Sequence, residues 1–196
     1  MKTVRLIALC AASSLVACAP LRDHAGWAGT RVQTAVAELP GWPEGSRPPA
    51  ISSFTFSNGD RLTGLFRDGK VIGTAQVDYA DGKRYVGEFE DNRVHGHGTL
   101  LMPNGDRYEG QFVQGRRQGT GVYSFASGGQ YRGQFTDDGI TGFGHFTYAN
   151  GDRYSGQLLD GAHHGLGRLI SGSGRATQEG HWKNGVFVWP QRIEQF

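Results

Sequence analysis

Five histidines are the first residues in this chain that suggest chemistry: His95 and His97 alternate, His145 follows, and His163 and His164 are adjacent. Zinc needs convergent ligands at fixed geometry. His95 and His97 share the parity of one strand face, but His163 and His164 cannot both do so in a regular strand. They read as solvated or turn histidines, and no metal is expected. Asp137-Asp138 and Glu88-Phe89-Glu90-Asp91 supply carboxylates. Glycoside hydrolysis needs an acid and a base held across one bond, and nothing here pins such a pair together. They read as turn and surface groups. Serine is frequent, yet no nucleophile elbow occurs. The many glycines include neither a G-x-x-x-x-G-K-[ST] phosphate loop nor a strand-helix dinucleotide context. Arg61, Arg84, Arg107 and Arg153 recur beside Asp60, Asp81, Asp106 and Asp152. Such a row fits a salt-laced edge. It also offers Arg84, Arg107 and Arg153 as contacts for a partner or for lipid head groups. The expectation is a non-enzyme without cofactor.

The 196 residues include 32 glycines and only 37% apolar residues. Glycine at every third position, as collagen requires, is absent. At the N-terminus, MKTVRLIALCAASSLVACAP carries Lys2 and Arg5, then an apolar run, then small residues and a cysteine. This reads as a secretory signal over residues 1–17, too short for an ordinary membrane span. Leu15-Val16-Ala17-Cys18 resembles the bacterial lipobox, which implies cleavage before Cys18, lipidation of its sulfur and membrane anchoring. Ala19 rather than aspartate after it favours the outer membrane in the Gram-negative sorting pattern. Loss of Lys2 and Arg5 from the 20 basic residues would leave them equal in number to the 18 acidic ones. Nothing then steers the whole protein towards nucleic acid. Cys10 would leave with the signal, so no disulfide, thiolate metal site or cysteine nucleophile is expected.

Residues 18–50 read as the lipidated cysteine followed by a spacer or N-terminal cap. A short helix is expected there, capped by Thr30, with Val32, Val36 and Leu39 along one side and Pro40-Gly41 ending it. From Ile51 the chain is periodic. Gly59, Gly82, Gly105, Gly128, Gly151 and Gly174 stand 23 residues apart. Strand alternation puts Tyr85, Gly87 and Phe89 on one face. Tyr108, Gly110 and Phe112 repeat it, as do Tyr131, Gly133 and Phe135. The opposite parity is polar: Glu88 and Glu90, Glu109 and Gln111, Arg132 and Gln134. Asn58-Gly59-Asp60, Asn104-Gly105-Asp106 and Asn150-Gly151-Asp152 are tight-turn signals. Each unit is therefore a hairpin with one aromatic face.

This pattern resembles the MORN (membrane occupation and recognition nexus) repeat. The motif runs tyrosine, any, glycine, any, phenylalanine, then a glycine and a later glycine-any-glycine. It is closest at Tyr108, Gly110, Phe112, Gly115, Gly119 and Gly121. Tyr131, Gly133, Phe135, Gly142 and Gly144 repeat it, with Asp138 where glycine is expected. Tyr154, Gly156, Leu158, Gly161, Gly165 and Gly167 form another unit. In the Tyr85 unit Asn92 takes the inner glycine position, and the unit starting at Leu62 is degraded. The resemblance implies an all-β fold, an elongated, twisted, single-layer antiparallel sheet of tandem hairpins with roughly twelve strands. The repeat domain is placed at 51–184, with a C-terminal strand or cap at 185–196.

The resemblance also implies an interaction scaffold rather than an enzyme. Tyr108, Phe112, Tyr131, Phe135 and Tyr154 form the most coherent stripe and are expected to meet an envelope protein or a second copy of the chain. A lipoprotein that binds phospholipid or glycan through these rings and the turn arginines is the alternative.

Overall fold

The structure, a computed structural model, describes residues 30–33 and 50–190. These residues form one antiparallel sheet of 14 strands whose spatial order is the chain order. The strands are β1 (Thr30–Gln33), β2 (Ala50–Thr55), β3 (Arg61–Arg67), β4 (Lys70–Asp78), β5 (Arg84–Glu90), β6 (Arg93–Leu101) and β7 (Arg107–Val113). They continue as β8 (Arg116–Ser124), β9 (Gly129–Thr136), β10 (Gly139–Tyr148), β11 (Arg153–Leu159), β12 (Ala162–Ile170), β13 (Thr177–Lys183) and β14 (Val186–Pro190). The sheet is elongated and does not close. Thr30–Gln33, expected to begin a helix, is instead a strand paired with β2. A strand there meets the otherwise unpaired edge of β2, a pairing that local helix signals do not reveal. The rest of that expected helix, Cys18 and the signal segment lie outside the described residues.

One face of the sheet is the core. Tyr85, Tyr108, Tyr131 and Tyr154 are each fully buried, and Phe112 and Phe135 nearly so. The packing is staggered between repeats. Tyr85 meets Phe112 edge-on at 5.1 Å, and Tyr108 meets Phe135 at 4.8 Å. Tyr85, Tyr108 and Tyr131 also meet the phenylalanine of their own strand, as at Tyr108–Phe112, 5.1 Å; Tyr154 has Leu158 there. Edge-to-face pairs of this kind contribute about 0.5–1.5 kcal/mol each beyond area burial.

Glycine makes room for the rings. In β7 and β8, Gly110 lies opposite Gly121, and the Tyr108 ring lies over the pair. A Cβ on Gly121 would come within 2.5 Å of Tyr108 Cε2, and one on Gly110 within 2.7 Å of the Thr120 carbonyl oxygen. The Tyr108 hydroxyl then donates to the Gln111 carbonyl at 3.0 Å. Tyr131 and Tyr154 donate in the same way to Gln134 and Gln157, at 3.0 and 2.8 Å. The ring is thus fixed at both ends.

The polar residue inside each motif has a structural task too. The return strands bulge at Gly96, Gly119, Gly142 and Gly165, all with positive φ. The bulge leaves the next amide without its ladder partner. His97, Thr120, Phe143 and Leu166 donate that amide to the side chains of Glu88, Gln111, Gln134 and Gln157, at 2.9–3.1 Å. A side-chain carboxylate or amide oxygen here replaces the missing backbone acceptor.

Turn aspartates lock one repeat to the next. Asp60, Asp106 and Asp152 accept amides from Ala80, Ala126 and Gly172, each about one period along, at 2.7–2.8 Å. Burial opposes the charge on Asp106. The Ala126 amide, the Tyr123 hydroxyl and the Asn104 amide outweigh it and lower the carboxyl below its ordinary value.

Candidate interaction surface

Burial separates the residues that hold the sheet from those able to touch a partner. The stripe expected to receive one, Tyr108, Phe112, Tyr131, Phe135 and Tyr154, is at most 2% exposed. That expectation is corrected: single-layer sheets lack a second layer, so rings of adjacent hairpins cover one another. Burial raises the Tyr131 and Tyr154 hydroxyls to about 12, which keeps them protonated donors. The accessible part of the aromatic face is a neighbouring row that was not among the expected contact residues. Phe56, Tyr79, Met102, Phe125 and Tyr148 are half-buried, spaced by 23, and stand just before the turns. Their period was the available signal.

The arginines divide. Arg84 Nε pairs with Asp78 at 2.5 Å, and Arg107 with Glu109 at 2.7 Å. The partners are strand carboxylates rather than the turn aspartates, which are committed to amides. A shallow hollow of about 390 Å³ lies beside Asp78, Tyr79, Lys83 and Arg84, so it contains that pair. Arg153 is exposed and makes no ion pair among the described residues. The structure brings Arg84 and Arg107 near each other through Leu101, to which both pair in register, and places Arg153 several strands away.

Asp138, read as a turn or surface group, is buried, and so is Arg117, which faces it. Asp138 is 7% exposed and Arg117 3%. Arg117 Nε donates to Asp138 Oδ1 at 3.0 Å, and Nη2 to the Asp138 carbonyl at 2.8 Å. The guanidinium lies 5.6–5.7 Å from the ring centres of Tyr108, Tyr123 and Phe135. Arg117 occupies the repeat position of Val94 and Ile140, and Asp138 that of Gly115 and Gly161. His163, expected to be solvated, stacks on Tyr154 at 3.6 Å, and its Nε2 is 2.6 Å from the Tyr148 hydroxyl. Burial lowers its pKa to about 4, so the ring is neutral at ordinary pH. Among the described residues, no three His, Cys, Asp or Glu side chains converge as a metal site. The buried polar groups are thus tied to packing, and none is paired as acid and base beside an open cavity.

The opposite face is outward. Its strand-centre row runs in register through Val122, Arg132, His145, Ser155, Arg168 and Glu179. Beside it stand the residues between paired glycines, His97, Thr120, Phe143 and Leu166. Phe143 is 60% exposed, Leu166 44% and Trp189 54%.

The hairpin period, the buried tyrosines over glycine pairs and the repeated bulge are matched by a family model. The MORN repeat model fits residues 85–107, 108–130, 131–153 and 154–174. Residues 85–174 carry four MORN repeats in tandem. The MORN repeat is a non-catalytic scaffold, and it points to a protein-interaction role. No curated protein sequence matches the chain. Among similar solved structures is the SAS-4 (dCPAP) TCP domain of Drosophila melanogaster, solved in complex with a proline-rich motif of Ana2 (dSTIL). It is 10% identical, with 69% of this chain and 81% of that chain covered and a TM-score of 0.42.

Proposed function

We propose that this MORN protein is a lipid-anchored scaffold of the bacterial envelope, held at the outer membrane through Cys18, whose sheet binds another envelope protein. The observation that carries the binding role is the division of the sheet. The aromatic residues that define the repeat are consumed in packing, while apolar and cationic side chains remain exposed on the outward face. A repeat array that buries its own signature and leaves a long side-chain surface free is suited to binding along its length. The anchoring role is supported by Leu15-Val16-Ala17-Cys18 following a charged and apolar leader. Residues 18–50 would then span from the lipid to the sheet. Phospholipid or glycan binding through Arg84 and Arg107 is the weaker reading, because both guanidinium groups already face carboxylates.

Photocrosslinking in intact cells tests the scaffold. Probes replace outward residues along β5 to β13 and the half-buried row at Met102 and Phe125. Discrete protein adducts support the proposal; adducts with lipid or glycan alone would reject it. Mass spectrometry of the mature N-terminus tests the anchor separately. A diacylglycerol-modified Cys18 is expected, and an unmodified terminus elsewhere would refute it.

A further inference from the structure

The outward face is not uniform along the sheet. Strands β3 to β7 carry Asp78, Glu88, Glu90 and Glu109 among their arginines. Strands β9 to β13 present Arg132, Arg153 and Arg168, and Glu179 is their one outward carboxylate. Glu179 faces Arg168 at 3.4 Å. Arg132 and Arg153 make no ion pair among the described residues, and both are exposed. Beside this cationic strip runs an apolar one. Phe143, Leu166 and Trp189 are all about half exposed or more. Phe143 lies opposite Gln157, Leu166 opposite His181, and His181 opposite Trp189. The apolar residues therefore recur on every second strand, roughly 10 Å apart at ordinary strand spacing.

Resting on the scaffold reading, we propose that the outward face of β9 to β14 docks an acidic amphipathic helix of the partner protein. Seven residues of helix advance about 10.5 Å, so apolar side chains one heptad apart match Phe143, Leu166 and Trp189 in turn. Carboxylates on the flank of that helix meet Arg132, Arg153 and Arg168. Arginine and aromatic side chains are the residue types that commonly form contact anchors, and charge complementarity would set the orientation of the helix. The surface is already organised, because Gln134 and Gln157 hold the amides of Phe143 and Leu166 in place. The side chains that project are the ones not used in those bonds.

The repeat itself supplies conservative variants. Thr120 occupies the position equivalent to Phe143 and Leu166, and Glu109 the one equivalent to Arg132. Gln130 stands one repeat before Arg153, so Phe143→Thr with Leu166→Thr, and Arg132→Glu with Arg153→Gln, should leave the melting temperature nearly unchanged. The probe is a fluorescent synthetic helix with leucine at every seventh position and flanking glutamates, read by anisotropy against the full chain. A counterpart with lysine replacing glutamate is the control. The glutamate peptide should bind and the lysine peptide should not. Each double variant should weaken the glutamate peptide at least tenfold. Val86→Ser with Val113→Ser, on the same face in the first half, should have no effect. Equal binding of both peptides, no binding of the glutamate peptide, or unchanged affinity in the double variants would overturn the proposal. So would binding of anionic phosphatidylglycerol vesicles without the peptide. In-cell adducts confined to other positions would discard this surface and keep the scaffold, whereas no protein adducts anywhere would discard the scaffold itself.

Discussion

Replacing Arg117 and Asp138 by the residues that neighbouring repeats carry should reveal a strong energetic coupling. Each is over nine-tenths buried, and Arg117 Nη1 and Asp138 Oδ2 find no protein partner. Arg117→Val alone leaves a buried carboxylate whose remaining partner is the Arg117 main-chain amide, at 3.0 Å. Removing one member of a buried pair costs about 3–5 kcal/mol. Asp138→Gly alone should cost about 2 kcal/mol, within the range for leaving a charged group short of partners. It keeps the bond from Arg117 Nη2 to the backbone carbonyl and relieves a non-glycine residue at φ 68. The double variant recreates the Val94–Gly115 arrangement, in which the Gly115 amide donates to the Val94 carbonyl at 2.8 Å. Replacing both charges removes two desolvation costs together, so the double variant should lie within about 1 kcal/mol of the parent or above it. Urea unfolding of the four proteins measures this as a double-mutant cycle. Arg117→Val should lower the thermal midpoint by roughly 6–20 °C. Losses in the double variant equal to the sum of the two single losses would refute the reasoning.

Gly121→Ala should destabilise the sheet by about 3 kcal/mol or more, measured by urea midpoint, because the new methyl meets the buried Tyr108 ring rather than a movable surface group. Gln134→Leu should cost about 1–2 kcal/mol by the same assay, since the Phe143 amide loses its acceptor. His163 has its folded pKa near 4, below the ordinary value of about 6.5. Between those values the unfolded chain binds more protons, so stability is full above pH 6.5 and declines as pH falls towards 4. Thermal midpoints measured across that window should fall, and His163→Ile should flatten the fall, as Ile140 fills the same repeat position.

The periodic core was legible in the sequence because two rules coincide there. A 23-residue spacing fixes the hairpin, and Tyr-x-Gly-x-Phe alternation fixes its face. Occupancy of that face was not legible. Whether Tyr108 is open or covered depends on Phe135 of the next repeat, at 4.8 Å, a contact that strand parity does not specify. Gln111 and Gln134 fell on the outward parity and read as surface groups, yet their amide oxygens complete bulges that alternation cannot show. Asp138 was visible as a departure from the motif. Its partner Arg117 was hidden, because a charged side chain on a polar-looking return strand gives no hint of facing inward. The outward surface was the least legible part. Phe143 and Leu166 become a strip only when register places Gln157 and His181 between them and Trp189.

The central claim is that inward rings hold the sheet while outward side chains bind. It is tested most directly by measuring thermal midpoint and in-cell protein crosslinking together, for one outward pair and one inward residue. The outward pair, Phe143→Thr with Leu166→Thr, should keep the midpoint within about 2 °C and reduce adduct yield from nearby probes at least tenfold. The inward variant, Tyr108→Phe, loses one hydroxyl bond worth about 1 kcal/mol. It should lower the midpoint by about 2–4 °C and leave adduct yield unchanged while the protein is folded. The reverse result, with adducts lost on Tyr108→Phe and kept in the outward pair, would contradict the claim.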